Sequence, residues 1–142
     1  MSNADNEVRE DIMSYILGGK SEFTLAQVID GKKPVQSRYR VCVNDTQSIY
    51  FIYVWDGKKF IYQGYFGIRD KVIRKAKNLA YDEVDIVSLR ALAWVFSHAD
   101  RLPGCVHIYH NGRCSRCGRK LTDAESLRTG LGPTCRQRRT AG

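Results

Sequence analysis

Cys114, Cys117 and Cys135, together with His110, have residue types and spacing suited to holding a metal ion. In Cys114-Ser-Arg-Cys117-Gly118 two intervening residues let both sulfurs face one ion, and the glycine permits the tight turn that aims backbone N–H groups at them. A third cysteine 18 positions further on and a histidine four positions before the first supply a Cys3His set, one of the usual tetrahedral sets for a structural Zn2+. His107 is the alternative nitrogen ligand. On a strand through 105–110 the two histidines face opposite ways, so only one can ligate, and His110 is preferred.

Other uses of these residues fit less well. A redox Cys-x-x-Cys belongs at a strand-to-helix junction of an α/β fold, and leaves the third cysteine unexplained. A catalytic zinc keeps a solvent position beside a carboxylate base; Glu125 is the nearby glutamate, and there is no His-Glu-x-x-His pattern. Without a Walker loop, a nucleophile elbow or the clustered carboxylates of a two-metal nuclease, no catalytic residues are assigned and the protein reads as a non-enzyme. Cys42 and Cys105 stand in apolar surroundings as small core residues.

Several elements must position the metal ligands. Asp5 to Leu17 carries apolar residues at helical spacing and ends at Gly18-Gly19. From residue 20 the period changes. Phe23 to Leu25, Ser37 to Val43, Ser48 to Trp55 and Lys59 to Phe66 read as strands, with Asp56-Gly57 as a two-residue hairpin turn. The basic stretch 69–79 is a return strand or a turn. Asp82 to Ala99 reads as a helix, and Cys105 to Tyr109 as one more strand running into the metal site. Thr122-Asp-Ala-Glu125 has capping-box spacing for a short helix that Gly130 stops, and Gly132-Pro133-Thr134 opens a last helix with Cys135 in its first turn. The expected fold is α+β: an antiparallel sheet of about four strands, flanking helices, and a C-terminal treble-clef-like or ribbon-like zinc module. In domain terms, 1–19 is an N-terminal helix, 20–104 an α+β body, and 105–142 a zinc module docked on it.

The chain has a formal charge of +8, unevenly spread. From His110 onward eight Arg and Lys face two acids, while the rest of the chain is nearly balanced. Arg113, Arg116, Arg119 and Lys120 stud the knuckle, and Arg136, Arg138 and Arg139 follow the last cysteine. Such a cluster points to an acidic partner, either nucleic acid or an acidic protein surface. The aromatic strands 50–66 can offer stacking faces, although sheet core and cross-strand pairing explain them more simply. No apolar run is long enough to span a membrane and the first ten residues do not read as an export signal, so a cytoplasmic protein is expected.

The run from His110 through Gly112-Arg113-Cys114, Arg116-Cys117-Gly118-Arg119, Leu121-Thr122-Asp123, Ser126 and Gly130-Leu131-Gly132-Pro133 to Cys135 resembles a family of short zinc-binding domains of unassigned function. That family occurs in bacteriophage, prophage and actinobacterial proteins. The resemblance extends more loosely over residues 22–136. It implies His110, Cys114, Cys117 and Cys135 as ligands of one structural Zn2+, and a viral origin, but no activity. The functional expectation is nucleic-acid binding, DNA or RNA, through the Arg-rich zinc module. The alternative is a protein-interaction module that inhibits a host enzyme or defence complex. No small-molecule substrate and no membrane partner are expected.

Overall fold

In the computed structural model, which describes residues 6–28, 30–80 and 83–135, the backbone forms one six-stranded antiparallel sheet with short helices. The strands are β1 (Lys20–Gln27), β2 (Val35–Val43), β3 (Ile49–Trp55), β4 (Phe60–Gly67), β5 (Ile73–Lys75) and β6 (Val106–His110), and the helices are α1 (Ile12–Ile16), α2 (Ile86–His98) and α3 (Ala124–Thr129). The sheet order is β5-β4-β3-β2-β1-β6. The expected meander is therefore its centre, and the sheet of about four strands grows to six because the strand expected at 105–109 and a short one within the basic stretch 69–79 both join it. β5 extends the β4 edge, and β6 returns after α2 to pair with β1, His110 opposite Phe23. Pairing between strands so far apart in the chain is set by burial, which a local pattern does not show.

Period-2 alternation decides which face is covered. Phe23, Tyr39, Val41, Tyr50, Ile52 and Val54 point to one side, where they pack with Ile12, Tyr15 and Ile16 of α1 and Leu89, Leu92 and Val95 of α2. Burying these side chains is the main favourable term of the fold. The three tyrosines of this face keep their hydroxyls satisfied: Tyr15 donates to Glu22 O at 2.9 Å, Tyr39 to Ser88 O at 2.7 Å, and Tyr50 to Leu17 O at 2.9 Å.

Three local expectations change. The N-terminal helix is five residues long; before it, Glu7 bridges Tyr109 and the Val8 amide donates to Ile108 O at 2.8 Å. Val8 is thus buried by edge pairing along β6 rather than on a helix face, and Asp5 lies outside the described residues. The second helix begins at Ile86, where the Asp85 carboxylate accepts the Ser88 amide at 3.1 Å as N-cap; Asp82 lies outside the described residues. The β3–β4 hairpin exists, but its connection has four residues instead of two. Asp56 Oδ1 accepts the Lys58 and Lys59 amides at 2.8 and 2.9 Å, an Asx turn, and only Gly57 takes positive φ.

Candidate metal centre

β6 delivers the chain to the site, and Gly112, at φ +86°, turns it away from the sheet. Residues 113–120 then form a tight hairpin: Arg113 bridges Lys120, Cys114 N donates to Arg119 O at 2.8 Å, and Leu121 N donates to Gly112 O at 2.8 Å. At its tip Gly118, at φ +81°, lets its amide reach Cys114 O at 2.9 Å, while the Arg116 amide points at Cys114 Sγ at 3.4 Å. α3 follows, capped by Asp123, whose carboxylate accepts the Ser126 amide at 3.1 Å, and stopped by Gly130 at φ +73°. A further helical turn from Pro133 to Cys135 carries the last sulfur back to the hairpin.

The result is a three-thiol cluster. The ligand atoms of Cys114, Cys117 and Cys135 lie within 4.8 Å of one another, Cys114 and Cys135 buried and Cys117 exposed. Leu121 and Leu131 pack beside the two buried cysteines in a second small core, with Leu127 at its margin. Burial raises the Cys114 thiol, but the amides of Gly132, Cys117 and Arg116 and the Cys117 side chain outweigh it and bring it to about 7. The Cys135 thiol is pushed up to about 12, by burial first and then by Cys114 and Cys117. Three adjacent sulfurs without a cation resist ionising together, and a divalent ion removes that penalty. The donor set therefore suits a thiophilic metal ion.

His110, the expected fourth ligand, does not join this cluster. Its ring is buried, Nε2 donates to Leu127 O at 2.5 Å, and Nδ1 accepts the Gly112 amide at 2.8 Å. Both nitrogens are thus engaged by backbone, and the imidazole ties the end of β6 to the end of α3. Burial lowers its pKa below the ordinary range against the opposing Leu127 carbonyl, and a neutral ring is what one donating and one accepting nitrogen require. His107, half-buried, pairs its Nδ1 with Glu7 at 2.9 Å and is also outside the cluster. The turn at Gly112 sends the strand-end ring toward α3, although His110 stands only four residues before Cys114. With His110 as a strut, His110→Ala is expected to retain one metal per chain while lowering the melting temperature; elemental analysis showing loss of the metal would put the imidazole in the coordination shell.

Two contributors to the site carried no signal in the motif. Ser115, between the knuckle cysteines, is buried; its carbonyl accepts the Lys20 amide at 2.6 Å and its amide donates to Gly130 O at 3.1 Å. Tyr15 of α1 stands against Gly130 and lies 6.1 Å from the His110 ring, so the metal segment is seated on α1 and the start of β1. Arg113, Arg116, Arg119 and Lys120 are all exposed around the knuckle. Arg136, Arg138 and Arg139 lie outside the described residues. A cleft of about 420 Å³ opens beside Cys117 and Cys135, with Arg119 and Lys120 on its wall.

The fold and site together define a mixed protein: an antiparallel sheet with a C-terminal cysteine cluster able to hold a metal ion. Residues 107–140 match the model of a family of unknown function, DUF6011, and that stretch contains all three cysteines and His110. No curated protein and no solved structure matches the chain. No helix among the described residues is long and apolar enough to cross a membrane.

Proposed function

We propose that the C-terminal segment is a structural zinc module of treble-clef type, and that the protein is a non-enzymatic nucleic-acid-binding protein using the basic rim of that module. Zinc suits thiolate donors in a compact site, and a knuckle hairpin followed by a helical turn bearing the last cysteine is the treble-clef plan. The reading rests on the four exposed cations around the knuckle. Arg113, Arg116, Arg119 and Lys120 crowd within eight residues, and none has an ion-pair partner among the described residues. Metal-stiffened backbone keeps these charges in a fixed arrangement, suited to phosphates repeating along a strand.

Arg116→Ala and Arg119→Ala are each expected to weaken oligonucleotide binding several-fold and to leave the melting temperature unchanged. Each should also flatten the dependence of log K on log salt by about one unit for every phosphate the protein no longer neutralises. Fluorescence anisotropy at two salt concentrations reads this directly. Unchanged affinity in the double variant rejects the basic rim. Absence of any nucleic-acid binding at low salt, with a stable complex recovered from host lysate, favours the inhibitory protein-interaction alternative.

A further inference from the structure

Both helices that complete the main core, α1 and α2, pack on one side of the sheet. On the other side no described element covers β2, β3 and β4. An antiparallel sheet open to water ordinarily turns polar side chains outward. Here the outward positions hold a contiguous aromatic field: Phe51, Tyr53 and Trp55 on β3, directly opposite Tyr65, Tyr62 and Phe60 on β4, all only half-buried. The rings meet edge-on or tilted, as in Phe51 with Tyr62 at 5.9 Å and Trp55 with Phe60 at 5.1 Å.

Cations border this field on the same face. Arg40 lies opposite Tyr53 in the β2–β3 register, and its guanidinium sits 4.3 Å from the Phe60 ring centre. Arg38 sits 5.0 Å from the Trp55 ring centre. Both arginines are held by one carboxylate, Glu22, at 2.8 and 3.0 Å, so an acidic oxygen already occupies the place a phosphate would take. Lys20, two residues before Glu22 on β1 and exposed, adds a third cation to the same face.

We infer that this open aromatic face is the platform for a single-stranded nucleic acid, its bases stacked on the β3–β4 rings and its phosphates on Arg38 and Arg40. The inference rests on the nucleic-acid reading above and adds the form of the ligand. Stacking rings flanked by guanidinium groups accept any unpaired base, whereas paired bases present no free faces. An acidic protein would be drawn to the arginines but has little use for six adjacent rings.

The test uses the full, metal-loaded chain carrying Trp94→Phe, which leaves Trp55 as the reporter of the two tryptophans. Oligo-dT and oligo-U are titrated against the same strands annealed to their complements. Expected are quenching of Trp55 by single strands, much weaker binding of duplex, and a loss of about tenfold on Tyr53→Leu or Tyr62→Leu with the melting temperature retained. Glu22→Gln should bind several-fold tighter, because it frees Arg38 and Arg40; a purely structural face would not respond in that direction. Equal affinity for single strand and duplex, or binding indifferent to both leucine variants, overturns the platform while leaving the basic rim standing. Binding to no nucleic acid overturns both. Self-association abolished by the leucine variants, with no strand bound, shows a second copy on the face and also overturns it.

Discussion

Cys117→Ser is expected to release the metal and to unfold residues 112–135 while the six-stranded sheet persists. Cys117 is exposed, so its replacement creates no cavity and disturbs no packing; what it removes is a thiolate. Apparent binding free energies of structural zinc run about 10–16 kcal/mol, and in such a small module that energy is folding energy. The local alternative is weak. Its apolar core has two cysteines among its four buried members, with Leu121 and Leu131 the others. The separate cluster built on Tyr15, Tyr39, Ile52 and Leu92 includes none of the three cysteines. Hydrogen exchange should therefore show faster exchange at the amides of Cys114, Leu121 and Gly130, which bond within the module, with protection kept across β1 to β4. Retention of one metal per chain in the variant would overturn the assignment of Cys117.

Gly130→Ala is the second large effect, and its cause is steric. The position sits at φ +73°, closing α3 with its amide on Ser126 O, and a left-handed alanine costs about 1–2 kcal/mol by itself. An added Cβ would also lie 2.2 Å from Tyr15 Cδ1 and 2.6 Å from Cε1. Tyr15 is completely buried and its hydroxyl is anchored on Glu22 O, so the ring has little room to yield. The total expected loss is about 3–5 kcal/mol, seen as a lower denaturation midpoint. Gly118→Ala is the control: it shares the left-handed φ, at +81°, but its Cβ would meet nothing within 4 Å, so it should lose about 1–2 kcal/mol. Equal losses for the two variants would show that the module is not seated on Tyr15.

The cysteine cluster is legible in the sequence because short-range geometry dictates it. Two residues between thiols and a following glycine can make the knuckle turn locally, and the Asp123 cap and Gly130 stop bring Cys135 back with little help from the rest of the chain. The strands β1 to β4 are legible for a similar reason: apolar alternation and the turn residues between them are local properties. Even there the β3–β4 turn differs, since an Asx turn at Asp56 satisfies two amides that a two-residue turn would not.

Tertiary structure decided what depends on contacts between distant segments. Val8 has helical spacing with Ile12, yet it is buried along β6, because edge pairing with Ile108 satisfies its amide as well as its side chain. β6 reaches β1 across the whole of α2 and, with β5 on the opposite edge, brings the sheet to six strands. His110 stands four residues before Cys114, but the Gly112 turn and the Leu127 carbonyl direct its ring toward α3. The outward aromatic set on β3 and β4 reads in sequence like ordinary sheet core. Only the placement of both core-completing helices on the opposite face leaves those rings open to solvent, since which side of a sheet is covered is a property of the assembled chain.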